Sequence, residues 1–461
     1  MLTKETAQDI FERVRKLSQA DEVEVLLGGG KSALTRFANN TIHQNVAEES
    51  HFVSLRTVFG GRTARATTNK LDDESLRRLV QSAEALSKVQ HPDPELLPML
   101  TGSENPGSAS IARHFAETAA IGPDERAKAV AKMVDIAKRE QLTAAGIFSS
   151  SESVEAIFNS RGLARYHTQT SSEVSVTMLA TDSSGWQKAN SPDVHKLDAE
   201  GLAQIAARKA KQSAAPRELA PGKYTVVLEP AAVLDLVGFM FYDFAGLAVL
   251  DQRSFLTNRV GAKLFGENIS IWDDCSHPLQ SGAPFDGEGV PRQRVHLVKN
   301  GIVQNLVYAR GTANKMKASE HAAKVGSVQA TGHGFPLPNE IGEAPMNILF
   351  DPPQQAEEKS IEQMIASTER GVLVTRMWYI REVDPYEKIL TGMTRDGTFY
   401  VENGKIQYGI RNFRFNQSLI EMLSKVEAMS APVRASGEES FDMVVPAMKV
   451  NDFNFTEVTK F

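Results

Sequence analysis

The first half of the chain states one pattern twice, and an internal duplication narrows the possible folds more than any single motif does. One copy spans residues 37–86, from FANNTIHQNV to QSAEAL; the other spans 158–210, from FNSRGLARYH to IAARKA. Each opens on Phe and a turn-like polar cluster. Each then alternates polar and apolar residues, through Val53, Leu55 and Thr57 in the first and Val174, Val176 and Met178 in the second. That period of two marks strands with one buried face. A turn follows, at Gly60 or beside Ser183, and each copy closes on Leu-Asp and an amphipathic helical pattern. Asp72 and Asp198 suit the N-cap, where a carboxylate accepts from the first free amides. A leading helix is predicted before each copy, over 5–17 and 124–139. In the former, Ala7, Ile10, Phe11, Val14 and Leu17 recur at helical spacing. The unit therefore reads helix, strands, helix. Residues 90–110, rich in Pro, Gly and Ser, are expected as an exposed connection between the copies.

The second half has a different texture. LVKNGIVQNLV and TFYVENGKIQYG each set Asn-Gly between β-like runs, a hairpin signal because a type I′ turn needs positive φ at both central residues. FDMVVPAMKVNDFNF adds two short strands. Helical patterns are few, over 231–250, 357–370 and 418–429. The expectation is an α+β protein: an N-terminal α/β domain over 1–220 and a β-rich, sheet- or barrel-like domain over 221–461. A chain of 461 residues is long enough for two such cores.

Charge and cysteine content exclude some functions. The net charge of −6 offers no basic face for direct nucleic-acid binding. The single cysteine, Cys275, rules out an internal disulfide framework and fits a reducing, cytoplasmic location. The charged N-terminus lacks the apolar stretch of a secretory signal. Asp235 and Asp243 interrupt the longest apolar neighbourhood, so no membrane span is expected.

Several stretches carry residues capable of chemistry. GGGKS at 28–32 resembles a phosphate loop, but Val25 stands where that pattern needs glycine, and no helix pattern follows. A tight turn between strands is predicted instead. Asp273, Asp274, Cys275, His277, Asp286 and Glu288, with GHG at 332–334, form the densest group of possible ligands. Their spacing suits no compact zinc site, and FDGEGVP reads as a polar turn closed by Pro291. The region 375–418 interleaves Arg376, Arg381, Arg395, Arg411 and Arg414 with Trp378, Tyr379, Tyr400, Phe413 and Phe415. Arginine forks bind carboxylates and peptide carbonyls, and aromatics supply contact area. The same arginines could instead pair internally, Arg381 with Asp384 and Arg395 with Asp396 or Glu402.

Taken together, ALTRFANNTIHQNV, FDGEGVPRQ, LVKNGIVQNLVYARGTA, ATGHG, WYIREVDP, LTGMTRDGTFYVENGKI and IRNFRFNQS make the chain resemble the TldD/PmbA family, proteins also called modulators of DNA gyrase. The resemblance implies an α/β domain followed by a β-rich one. It also implies two kinds of subunit. The TldD kind is a zinc peptidase with His-Glu-x-x-x-His on a helix and a late cysteine ligand. The PmbA/TldE kind lacks both and pairs with it. The implied substrates are unfolded or small peptides.

This chain sides with the second kind. The segment VVLEPAAVLDLVGFMF occupies the motif's place, so the motif's ligands and base fall on Leu236, Val237 and Phe241. No histidine lies between His195 and His277, and no cysteine follows Cys275. Zinc is thus expected only in a TldD-type partner, with no cofactor here, and the segment should form an ordinary buried helix with Leu236, Phe239, Met240 and Phe241 in a core. Homodimers are expected as well. The candidate peptide contacts are Trp378, Tyr379, Arg381, Arg395, Arg411 and Arg414. The alternative is a stand-alone hydrolase using the Asp273–Glu288 neighbourhood.

Overall fold

The computed structural model describes residues 2–102, 111–354 and 357–459. Both repeats form, each with three strands where the alternation alone marks one. The first comprises α1 (Lys4–Leu17), β1 (Glu22–Ala38), β2 (Thr41–Phe59), β3 (Arg62–Thr68) and α2 (Asp73–Val89). After a short α3 (Ala116–Ala120), the second comprises α4 (Pro123–Arg139), β4 (Thr143–Asn159), β5 (Ala164–Leu179), β6 (Ser184–Ser191) and α5 (Ala199–Gln212). They join into one antiparallel sheet of order β3-β2-β1-β4-β5-β6, each contributing its first strand to the β1–β4 seam. The Asn39-Asn40 turn takes positive φ at both residues, as a two-residue hairpin requires. Asp72 and Asp198 cap their helices as expected, each accepting a backbone N–H at 2.9 Å.

Alternation along the strands gives the sheet two unlike faces. Val25, Leu27, Val53, Leu55, Val154 and Phe158 pack under α1 and α2. Phe148, Val174, Val176 and Met178 pack under α4 and α5. The opposite, helix-free face carries Gly28, Gly30, Phe52, Ser153 and Glu155. GGGKS is therefore no turn: it lies inside β1, hydrogen-bonded to β2 on one side and β4 on the other. Close approach of three backbones explains the glycines. A Cβ at Gly30 would stand 1.8 Å from the Glu152 carbonyl oxygen, and Gly29 has φ +134 with Ser50 O 2.2 Å from its Cβ position. The connection after α2 is only partly exposed, since Leu100 packs with Ile157, Leu163, Phe285 and Val290. Its residues 103–110 lie outside the described residues.

The second half contains β7 (Gly222–Leu228), α6 (Pro230–Val237), α7 (Gly246–Leu250), β8 (Ile271–Asp273), β9 (Val295–Lys299), β10 (Ile302–Val303), α8 (Arg310–Ala318) and β11 (Ile348–Phe350). There follow α9 (Ile361–Ala366), β12 (Arg370–Asp384), β13 (Ile389–Glu402), β14 (Lys405–Gly409), β15 (Phe413–Ser418) and α10 (Leu419–Ser424). The chain ends with β16 (Val426–Met429), β17 (Val433–Ala435), β18 (Met443–Val445) and β19 (Met448–Val458). Strands β12, β7, β19, β15 and β13 pair in sequence, and β13 pairs back with β12, so the ring closes into a barrel. The stacked rings of Phe413 and Phe455, 4.6 Å between centroids, belong to its core. A second sheet runs β10-β9-β8-β11-β18-β17. Both Asn-Gly hairpins appear, at Asn300-Gly301 and Asn403-Gly404, with positive φ throughout.

Three helix expectations need correction. The predicted 231–250 helix breaks after Val237 into a 3₁₀ segment, Gly238–Phe244, before α7. Gly238 is pressed against Ser440, whose Oγ lies 1.9 Å from its Cβ position. Asp243, within the segment, leaves the helical pattern to accept from the Phe255 amide at 3.1 Å. The predicted 357–370 helix shrinks to α9, because Arg370 already begins β12. The 418–429 helix ends at Ser424, because β16 pairs with β19. Helix α8 gave no amphipathic signal, burying only Thr312, Ala313 and Met316. Among the described residues no helix is long and apolar enough to cross a membrane, which says nothing of β-barrel spans.

Candidate functional site

Leu236, Val237 and Phe241 are fully buried in the largest core cluster. Asp235 anchors this stretch. Its carboxylate accepts from the Glu438 and Glu439 amides at 3.2 Å and from Met377 at 3.3 Å. Burial pushes that carboxyl up to about 7 against those hydrogen bonds and the nearby Arg376 charge. Beside the stretch opens a cleft of about 520 Å³, lined by Gly238, Phe239, Tyr242, Asp243, Lys388 and Glu439 among others. Its central charges are matched internally: the buried Lys388 ammonium stands 2.5 Å from both Asp243 and Glu382. Nothing in the sequence pattern marked this triad, whose members come from the 3₁₀ segment and from the β12–β13 hairpin.

The arginine–aromatic region divides in two. Arg376 is internal, donating to Asp396 through Nε at 2.8 Å, and its guanidinium lies between the rings of Trp186 and Trp378. Ser184 Oγ donates to the same Asp396 at 2.6 Å, so this cluster joins the first sheet to the barrel. Tyr400, Phe413 and Phe415 are also buried and Trp378 is half-buried, whereas Tyr379, Arg381, Arg395 and Arg411 face outward. Tyr379 is exposed, with the Arg381 guanidinium 4.6 Å from its ring centroid. Arg381 makes no pair with Asp384; it donates to Ile380 O at 2.6 Å. Arg395 lies over Trp378 at 4.7 Å and stands 3.7 Å from Asp396, with no bond to Glu402. Arg411 is half-exposed, 3.8 Å from Glu218. Arg414 is half-buried on β15, opposite Met393 and Glu457.

The ligand-dense loops fold as interior braces. Asp286 accepts from the Glu288, Val290 and Gly334 amides, and Asp274 from Ser276. Asp273 accepts from Met346 and Asn347 and lies 3.0 Å from His333 Nε2, while His333 Nδ1 meets Thr331. His333 Nε2 and Asp273 Oδ1 face each other at ion-pair distance only, since neither has a hydrogen-bond partner among the described residues. Cys275 is buried beside Arg113, and His277 Nδ1 accepts from the Leu279 amide. FDGEGVP is thus a turn, as predicted, but a buried one. Among the described residues, no three His, Cys, Asp or Glu converge as a metal ion would require.

Profiles of the PmbA/TldD family cover most of the chain. The PmbA/TldA metallopeptidase C-terminal domain matches residues 221–457, domain 1 matches 23–87, and the central domain matches 116–214. The chain belongs to the PmbA/TldD family. Among its relatives, Metalloprotease PmbA of Escherichia coli O157:H7 is 22% identical over 97% of this chain and 96% of its own length. Metalloprotease PmbA homolog of Haemophilus influenzae is 20% identical over 87% and 85%. The crystal structure of TldE from Thermococcus kodakarensis superposes with a TM-score of 0.84 at 18% identity, covering 98% of this chain and all of that one. A Thermotoga maritima structure named for a modulator of a DNA gyrase gives 0.83 at 20%, with the same coverage. The mixed fold with a β-rich second half is therefore that of TldE-like proteins.

The zinc of a PmbA/TldD metallopeptidase can be tested against these residues, and they do not fit it. Zinc takes nitrogen, sulfur or oxygen donors, and Leu236, Val237 and Phe241 offer none. Asp235 beside them accepts three backbone amides, and Asp243 and Glu382 are bound to the Lys388 ammonium. The three aligned positions supply no zinc ligand.

A further cleft escaped the sequence reading. It opens between the helix-free face of the first sheet and the loops at 285–287 and 333–336, with a volume of about 530 Å³. A signal was present: a glycine run at alternate positions of a strand strips one face of side chains while the other keeps Val25 and Leu27.

Proposed function

We infer that this chain is a metal-free PmbA/TldE-type subunit that assembles with a TldD-type zinc peptidase and helps to enclose and select unfolded or small peptides. One observation carries the reading: Leu236, Val237 and Phe241, which the resemblance aligns with the zinc motif, are all fully buried in an apolar core. The relatives' names denote metalloproteases, so a member without ligands contributes to proteolysis through contact with one that has them. The exposed Tyr379, Arg381, Arg395 and Arg411, with the half-buried Trp378, supply forks and rings for extended peptides; Arg414, half-buried, is the weakest of the six. Self-association into homodimers and a cytoplasmic location belong to the same reading. A stand-alone hydrolase draws no support from the Asp273–Glu288 loops, whose carboxylates are engaged by backbone amides. Co-expression with a TldD-type paralogue, followed by size-exclusion chromatography with light scattering, tests the assembly. Coelution is expected, and two non-interacting peaks would remove the reading.

A further inference from the structure

The cleft against the first sheet is built differently from the rest of the surface. In the sheet's register Gly28 stands between Phe52 on β2 and Glu155 on β4. Glycine leaves that spot bare, and the Phe52 ring leans over it, with Cε1 2.5 Å from where a Cβ would stand. In the next row on this face, Gly30 stands between Ser50 and Ser153. The result is a flat floor with one half-exposed aromatic ring at its side. The opposite wall is apolar, with Phe285, Phe335, Pro336 and Met346. The volume of about 530 Å³ lies within the roughly 300–1,000 Å³ of small-molecule sites.

Lys31, Glu152, Glu155, Asp286 and Arg292 all line this space. Lys31 is exposed, Glu152 stands 2.6 Å from His114 and Asp286 accepts backbone amides, which leaves Arg292 and Glu155 as the enclosed pair without a direct bond. Arg292 Nη1 is buried without a hydrogen-bond partner, and the side chain makes no salt bridge among the described residues. Its charge is felt by Asp273 and Asp286, but both carboxylates already accept backbone hydrogen bonds. Glu155 is open to solvent, yet it sits in a recess. The enclosure raises its carboxyl above the usual range, against the opposing pull of Arg292. Glu155 likewise forms no hydrogen bond or salt bridge among the described residues.

A cation and an anion facing one apolar cavity without bonding each other select a ligand that carries both charges on an apolar frame. We propose that the cleft between the first sheet and the 285–287 and 333–336 loops binds a small zwitterion with a large apolar side chain, its carboxylate on Arg292, its ammonium on Glu155 and its side chain against Phe52. A free aromatic amino acid and a short peptide share this chemistry and differ in the spacing of their charges. The site is separate from the motif stretch and from the exposed arginine–aromatic set, and it stands or falls without any partner subunit.

Titration calorimetry on the purified chain, without partner, tests this with phenylalanine and leucyl-phenylalanine as two arms. Each is compared with its C-terminal amide and its N-acetyl form. One arm or both should bind, and blocking either terminus should weaken binding at least tenfold. Phe52→Ala, at a half-exposed ring, should weaken the free form severalfold without loss of fold. Glu155→Gln should abolish the preference for the free ammonium. Because the blocked ligands probe the charges without altering the protein, misfolding of an Arg292 variant would not protect the proposal. Equal binding of free and blocked ligands, or no binding of either arm at 10-millimolar order concentrations, overturns it.

Discussion

Replacing Arg376 by alanine separates an interior joint from a peptide groove. Arg376 and Asp396 are 7% and 6% exposed, joined through Nε at 2.8 Å and Nη2 at 2.5 Å. Removing one partner of such a buried pair costs about 3–5 kcal/mol, because the other charge is left stranded. Loss of the Trp186 and Trp378 ring contacts, at 4.8 and 5.1 Å, adds about 0.5–2 kcal/mol. Arg376→Ala should therefore lose about 4 kcal/mol or more in urea unfolding. Asp396→Ala should behave similarly, and the double variant should lose much less than the sum. Arg395→Ala is the control: its side chain is 46% exposed and 3.7 Å from Asp396, so about 1 kcal/mol or less is expected. If Arg376→Ala unfolds within about 1 kcal/mol of the parent yet loses peptide capture in the assembled complex, the joint is wrong and the residue belongs to a groove.

Lys388→Ala strands Asp243, which is 8% exposed beside it, and should cost about 3–5 kcal/mol by urea denaturation; a neutral result would refute the triad's structural role. Burial, then the Glu288 charge, lift Asp286 to about 7. A raised carboxyl takes up a proton on folding, so its contribution is complete below its unfolded value near ~4 and is lost as pH rises through 7. The stability of the wild type relative to Asp286→Asn should accordingly fall between about pH 4 and 7, as read from melting temperatures, and a constant difference would contradict this. Restoring the motif as Leu236→His, Val237→Glu and Phe241→His should give neither activity nor stoichiometric zinc by elemental analysis. It should also cost stability, since it buries unpaired polar groups; a zinc-loaded, folded variant would show that more of the site survives than its residues indicate.

Local rules reached far into this fold. The repeat, its aspartate caps and both Asn-Gly hairpins were legible because each rests on a neighbour-scale cause: alternation, a capping carboxylate or positive φ. The failures came where distant segments decide. Gly28–Gly30 looked like a turn, because the crowding of β2 and β4 against β1 is invisible to a single strand. The 231–250 segment looked like one helix, because Ser440 and the Phe255 amide act on it from far along the chain. The candidate site shows the same division. The apolar character of Leu236, Val237 and Phe241, and hence their burial in a core, could be read directly. Which arginines face inward could not, since Arg376 and Arg381 differ only in what folds against them. The cleft holding Phe52, Glu155 and Arg292 draws on three segments and had no linear signature beyond its glycines.

The central claim is that this chain serves proteolysis through a partner. Its most direct test is the rate of peptide cleavage by a TldD-type zinc peptidase with and without stoichiometric amounts of this chain, with assembly followed in the same samples. This chain alone should cleave at a rate near zero. The mixture should coelute, burying at least the roughly 1,200–2,000 Å² of a stable specific interface, and should cleave faster than the zinc-bearing subunit by itself. Equal rates with and without this chain, together with separate elution of the two proteins, would contradict the account.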